Sequence, residues 1–205
     1  MHTTTPPLIG LHGYAGAGKD TVADILHDIR GYESFAFADN VREALYRLDP
    51  LVGAEVTVRS LVDDIGWDRA KWHRLYGPEV RRLMQYMGTD VGRQMFGPQV
   101  WVNALAEDLA FEGSLHEGRI THDSLVVVSD VRFDSEAQWV RDHGGVVWHI
   151  TRPGVGPLNT HSSESGISPD LIDRIIVNDS DLTKLTQDVA KAAGLLGPRA
   201  ATVAA

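Results

Sequence analysis

Leu8-Ile9-Gly10-Leu11-His12-Gly13-Tyr14-Ala15-Gly16-Ala17-Gly18-Lys19-Asp20-Thr21, an apolar run leading into a glycine-rich turn and a lysine, decides how this chain folds. From Gly13 the pattern is G-x-x-x-x-G-K, and Val22, Ile25, Leu26 and Ile29 continue it on one face of a helix, giving the strand, loop, helix context the motif requires. Glycines let successive N–H groups turn inward, so the loop and the positive end of the following helix form a nest for an anion. Residues 13–21 are therefore expected to hold the phosphates of a nucleoside triphosphate, with Lys19 reaching the β- and γ-phosphates. A Ser or Thr usually follows the lysine and ligates magnesium; Asp20 stands there instead, with Thr21 next. Two readings of Asp20 are open: a magnesium ligand acting through water, or an acid favoured by the helix N-terminus.

Outward from this stretch, short apolar runs recur at 35–38, 125–128, 146–150 and 175–177, most of them β-branched or aromatic, and read as buried strands like 8–11. Helical spacing lies between them: Val80, Leu83, Met84 and Met87; Phe133, Ala137 and Val140; Leu182, Leu185 and Val189. Alternation of this kind implies an α/β fold, a parallel sheet with helices on both faces. Residues 39–123 show helical patterns and no convincing strand, and are long enough for a helical substrate-binding insertion. Residues 1–7 and 197–205 read as loose ends. The run 125–128 leads to Ser129 and Asp130, an apolar strand ending in an acid, where a carboxylate would face a metal across from the phosphate loop.

A chain of 205 residues with 43% hydrophobic and 23% charged residues fits one globular domain. No cysteine is present, so disulfides and thiolate metal sites are excluded, and a cytoplasmic setting is expected. No apolar run approaches the roughly 20 residues needed to span a bilayer, so no membrane partner is expected. The net charge of −9 argues against nucleic acid as a partner, because such binding needs clustered Lys and Arg, but it leaves room for a small phosphorylated ligand. With only Lys19, Lys71, Lys184 and Lys191 in the chain, a lysine inside the glycine-rich loop stands out.

Asp130-Val131-Arg132-Phe133-Asp134-Ser135-Glu136-Ala137, taken with Gly18-Lys19-Asp20-Thr21, resembles the phage-type deoxynucleoside monophosphate kinases. The resemblance extends through Phe35-Ala36-Phe37-Ala38-Asp39 with Arg42 and Glu43, and through Leu83-Met84-Gln85-Tyr86-Met87-Gly88-Thr89-Asp90-Val91-Gly92-Arg93. It resumes at Trp101-Val102, at His161-Ser162-Ser163-Glu164 and at Ile176-Val177-Asn178-Asp179, and fails to align over 49–75. It implies a P-loop kinase fold in a single domain over 1–205, with a five-stranded parallel sheet, a helical monophosphate-binding insertion and a short lid at 152–168. The implied reaction moves the γ-phosphate of ATP to a deoxynucleoside monophosphate with Mg2+ as cofactor. The host cytoplasm follows if the chain is phage-encoded, and a homodimer is compatible.

Site roles follow from the same resemblance. Lys19, Arg132, Arg152 and Asp39 are the catalytic candidates, and Asp20 and Asp130 the metal candidates. Arg93 would grip the monophosphate, with Arg42 a second candidate and Asp39, taken as the end of the second strand, near the phosphate or sugar. For each there is a plainer alternative: a surface ion pair for the arginines, a helix cap for Asp39. Gln85 could read a base edge; Trp101 could stack on a base, line its pocket or simply fill a core. Asn178 and Asp179 resemble the turn bordering the adenine, although the pair suits any tight turn. Two other readings compete. A phosphomevalonate-kinase-like enzyme shares the G-K-D loop but calls for an arginine-rich loop where Tyr14, Ala15 and Ala17 stand. A nucleotide-binding protein without catalysis is the other, and a GTPase switch is disfavoured by the lack of an N-K-x-D motif.

Overall fold

A computed structural model describes residues 5–121, 123–157 and 166–194. The expected loose ends lie outside these residues except for 5–7. Two compact units divide the chain, one made of residues 1–35 and 109–205, the other of residues 36–108.

The first unit is built on five parallel strands, β1 (Leu8–His12), β2 (Glu33–Phe35), β5 (Val126–Val131), β6 (Val146–Thr151) and β7 (Arg174–Val177), in the order β2-β5-β1-β6-β7. Side chains alternate across a strand, so each face needs its own cover. On one face Ile9, Leu11, Val127, Trp148, Ile150 and Ile176 form a core with Val22, Ala23, Ile25 and Leu26 of α1 (Lys19–Arg30) and with Leu185 and Val189 of α8 (Leu182–Ala192). On the other, Gly10 lets α7 (Asp134–Asp142) come close: a Cβ there would lie 2.9 Å from a methyl of Val131 and 3.1 Å from one of Val140. This is the expected fold, a five-stranded parallel sheet with helices on both faces. Each fully buried aliphatic contributes about 1.5–3 kcal/mol, so the two apolar layers hold the sheet without staples.

β1 lies at the centre, and its register pairs His12 with Val131 of β5 and with His149 of β6, while Thr151 of β6 pairs with Val177 of β7. The carboxyl ends of these strands therefore share one edge, the place where open α/β sheets bind ligands.

Residues 35–38 are not a strand throughout. β2 ends at Phe35, and α2 (Phe37–Leu48) begins two residues later because the Asp39 carboxylate accepts the Ala36 N–H at 2.9 Å, closing the first turn. Phe37, Val41 and Leu45, four apart, are the buried stripe of that helix. Asp39 is thus the third residue of a helix and not the end of a strand. Residues 39–123 also contain two short strands, β3 (Leu115–His116) and β4 (Arg119–Ile120), joined antiparallel through Glu117 and Gly118, both at positive φ. Two such residues make the tight turn that suits a two-residue hairpin.

The second unit is helical: α2, α3 (Val58–Trp72), α4 (Gly77–Gln85), a π-helix (Tyr86–Arg93), α5 (Gln94–Phe96) and most of α6 (Val100–Phe111). α3 breaks at Gly66, where φ is 76°. Among the described residues no helix is long and apolar enough to cross a membrane.

Candidate active site

The phosphate loop joins β1 to α1 with the geometry its glycines dictate. Gly13 has φ 145°, and a Cβ on it would lie 2.3 Å from the Ile150 carbonyl oxygen, a backbone atom of β6. Gly18, at φ 103°, is the N-cap of α1 and supplies no capping side chain, so the first N–H groups of the helix receive no side-chain partner from the cap. Lys19 opens the helix and folds its ammonium back onto the carbonyls of Gly13 at 2.8 Å and Tyr14 at 3.2 Å. Inward-turned amides, a helix N-terminus and a lysine held over the loop form a donor set that fits the phosphates of a nucleotide. Asp20 is exposed in the first turn of α1, where an acid is favoured by the helix dipole.

Asp130 lies near the carboxyl end of β5, beside a bulge. Between the pairs Gly10–Val128 and His12–Val131, β5 carries one residue more than β1. A bulge re-aims the side chains it carries. Two side chains that the sequence reading passed over fix the chain here. His12, 7% exposed, has Nδ1 2.9 Å from the Val131 carbonyl oxygen; since a carbonyl only accepts, Nδ1 carries the proton. Glu136, 2% exposed, accepts the N–H groups of Arg132 at 2.7 Å and Phe133 at 3.1 Å, holding the start of α7. Its position three residues after the N-cap Phe133 was a legible capping signal. The His12 ring packs on His149 with centroids 4.8 Å apart.

Burial holds the His12 pKa below the ordinary histidine value; the Val131 carbonyl works the other way, and the nearby charges of His149, Lys19 and Arg132 lower it further. Lys19 opens α1 directly after the loop that follows β1, and Arg132 directly follows β5, so both cations belong to the carboxyl edge of the sheet. His149 is lowered by burial alone.

Asn178, directly after β7, donates its side-chain amide to the Ala17 carbonyl at 3.0 Å, while its N–H bonds Thr151 O at 2.7 Å. It braces the phosphate loop from the strand side; Asp179 beside it is exposed. Arg152 follows β6 and touches the Gly16 carbonyl at 3.5 Å, a contact too long to occupy the guanidinium. A cavity of about 110 Å³ lies here, lined by Tyr14, Ala17, His149, Ile150, Thr151, Arg152 and Val155. Of the expected lid at 152–168, residues 158–165, with His161 and Glu164, lie outside the described residues. Ser168 bonds Asp134 at the head of α7 through its N–H at 2.8 Å and its hydroxyl at 2.6 Å, and these bonds lower the Asp134 pKa.

The remaining candidates all lie in the helical unit. Asp39 pairs with Arg42 one turn on, and among the described residues Arg42 Nε is the one buried side-chain nitrogen or oxygen without a hydrogen-bond partner. Gln85 ends α4, and Arg93 ends the π-helix with a guanidinium bond to Pro98 O at 2.7 Å. Trp101 is buried within the unit and donates its indole N–H to Gly88 O at 2.7 Å, so its ring belongs to the packing. Among the described residues no three His, Asp or Glu side chains form a metal-binding group. Magnesium on a nucleotide needs only one or two carboxylates, with phosphate and water completing its shell, and Asp130 and Asp20 are oxygen donors of that kind.

The family model "Deoxynucleotide monophosphate kinase" matches residues 75–189, which begin after the phosphate loop, so loop and family match are separate observations. A protein of Acanthamoeba polyphaga mimivirus, provisionally named deoxynucleotide monophosphate kinase, is 30% identical over 191 residues, covering 89% of this chain and 93% of its own length. The deoxynucleotide monophosphate kinase of Enterobacteria phage T4 is 35% identical over 106 residues, 52% of this chain and 42% of that one. The deoxynucleoside-5'-monophosphate kinase of Escherichia phage T5 is 24% identical, covering 85% of this chain and 90% of its own length. Among solved structures, an unliganded sugar kinase from Janibacter sp. HTCC2649 covers 90% of this chain and 92% of that chain at 17% identity and a TM-score of 0.43, too loose to bear on the reading. On the family pattern over more than half its length and the full-length similarity to the mimivirus protein, the chain belongs to the deoxynucleotide monophosphate kinase family.

Proposed function

We propose that the protein transfers the γ-phosphate of ATP to a deoxynucleoside 5'-monophosphate, yielding ADP and the deoxynucleoside diphosphate. The observation that carries this reading is the phosphate loop: Lys19 opens α1 and lies across the carbonyls of Gly13 and Tyr14, in a chain of this kinase family. An oxygen of the acceptor's phosphate, already anionic at neutral pH, forms the new bond to the γ-phosphorus, and the bond from that phosphorus to the β-γ bridging oxygen breaks. No protein base is required. What the reaction requires is alignment and a field that absorbs the negative charge gathering on the transferred group.

Lys19, Arg132 and Arg152 supply that field. Lys19 and Arg132 follow the carboxyl ends of β1 and β5, and the long contact of Arg152 with Gly16 O leaves its fork available to phosphate oxygens. Bound Mg2+, held by Asp130 and, through water, Asp20, would neutralise charge on the β- and γ-phosphates. On the helical unit, Arg93 and Arg42 grip the acceptor's phosphate. Gln85 reads the base. Asn178 keeps the phosphate loop in shape and acts on ATP through it.

Arg93→Ala tests the acceptor side. It is expected to raise the KM for the monophosphate about tenfold or more, as loss of a charge-assisted phosphate contact should, and to leave the KM for ATP unchanged. A changed ATP constant with unchanged acceptor constant and kcat would remove Arg93 from this role.

A further inference from the structure

The helical run Gly77–Gln85, Tyr86–Arg93, Gln94–Phe96 is continuous, but its middle eight residues are wound as a π-helix. Such winding is rare and occurs mostly as single wide turns at functional sites. Something must hold it against relaxing to the α form, and the contacts identify what does. Trp101, at the second position of α6 and 9% exposed, donates its indole N–H to the carbonyl of Gly88 inside the wide segment. The same ring packs against Gly92: a Cβ there would stand 2.4 Å from Cζ2, 2.7 Å from Cε2 and 2.7 Å from Nε1. One side chain therefore grips the segment at two points four residues apart, one by hydrogen bond and one by contact that only glycine permits.

The winding has a geometric consequence. An α-helix advances about 100° per residue, and each i→i+5 turn holds one residue more than an i→i+4 turn. Converting one wide turn to the α form would rotate everything beyond it by about 100° relative to everything before. Gln85 stands just before the wide segment and Arg93 is its last residue. The angle between the side chain assigned to the base and the side chain assigned to the phosphate is thus set by the winding that Trp101 holds.

We infer that Trp101 is a positioning residue for the acceptor: it holds the π-helix open and so fixes the direction of Arg93 relative to Gln85. This rests on the reading that Arg93 grips the monophosphate. A tryptophan that merely fills the core would affect stability alone; one that sets this angle affects the acceptor selectively.

Three variants decide it: Trp101→Phe, which keeps an aromatic ring but removes the N–H; Gly92→Ala, which drives a methyl into the ring; and Arg93→Ala as reference. For each, KM for the monophosphate, KM for ATP, kcat, and the equilibrium Kd for ATP are measured, the last reporting that the phosphate-loop unit is folded. Misplacement of a positioned group by about an ångström can cost up to a hundredfold, so Trp101→Phe and Gly92→Ala are each expected to raise the acceptor KM at least tenfold with ATP Kd unchanged. The double variant Trp101→Phe, Gly92→Ala is expected to be no worse than the poorer single variant, since both act on one contact. If Arg93→Ala raises the acceptor KM and neither of the other two does, the inference fails while the acceptor reading stands. If Arg93→Ala itself leaves the acceptor KM unchanged, the reading beneath it fails and the inference with it. Equal shifts in the KM for acceptor and ATP in Trp101→Phe would also overturn it.

Discussion

Gly18→Ala probes how the phosphate loop is braced. Gly18 has φ 103°, so alanine there carries backbone strain of about 1–2 kcal/mol. The new Cβ would also lie 2.5 Å from Asn178 Nδ2, a contact that real side chains do not tolerate. That amide is the end of a movable side chain, so it gives way and loses its bond to Ala17 O, at a cost of about 0.5–1.5 kcal/mol. The two together come to about 1.5–3.5 kcal/mol, which for a chain of this length lowers Tm by about 3–14 °C. Gly16→Ala is the control: φ is 82° there, with nothing within 4 Å of a Cβ, so only the strain remains. Asn178→Ala removes the bond without strain, and the double variant Gly18→Ala, Asn178→Ala should cost no more than Gly18→Ala alone, because the amide it displaces is gone. Thermal melts followed by circular dichroism, with ATP Kd by calorimetry, provide the comparison. Equal losses for Gly18→Ala and Gly16→Ala, together with strict additivity in the double variant, would refute the bracing role of Asn178.

Other perturbations separate charge from packing. Lys19→Ala should lower kcat by on the order of a hundredfold or more with little change in the circular dichroism spectrum, and turnover above about a tenth of wild type would remove Lys19 from catalysis. Arg152→Ala should lower kcat and also weaken ATP, because Arg152 already lies against the loop at Gly16; wild-type values for both would make it an ordinary surface arginine. His12 and His149 both have depressed folded pKa values, so the folded state binds fewer protons than the unfolded one. Stability is then highest above the unfolded value of about 6.5 and falls as pH drops through it towards the depressed values. Tm is expected to fall between pH 7.5 and 5.5, and to fall less in His149→Gln; the carboxylates Asp49, Asp68 and Asp134, whose pKa values are also lowered, act only at more acid pH.

Much of the sheet was legible because buried parallel strands are written as short apolar runs: β1, β5, β6 and β7 fall on 8–11, 125–128, 146–150 and 175–177. Helices α1, α7 and α8 announced themselves by their stripes. Phe35-Ala36-Phe37-Ala38 misled because alternating large and small apolar residues fit a strand, while the helical stripe Phe37, Val41, Leu45 and the acid at Asp39 fit a helix and prevail. The hairpin β3–β4 was too short for periodicity to register, although Glu117-Gly118 is the kind of pair that turns one. The π-helix left no periodic trace, and the contacts that Gly88 and Gly92 make with Trp101 of α6 are not written in its spacing. The loop lysine could be named from its motif, whereas His12 could not, because its importance comes from the Val131 carbonyl, 119 residues away along the chain.

The measurement that bears most directly on the central claim is ADP release by the purified protein with ATP and magnesium, screened against deoxynucleoside and ribonucleoside monophosphates and mevalonate 5-phosphate. Turnover stimulated by at least one deoxynucleoside monophosphate, with matching formation of its diphosphate, is the predicted result; tight ATP binding without any acceptor-stimulated turnover, or stimulation by mevalonate 5-phosphate alone, would contradict it.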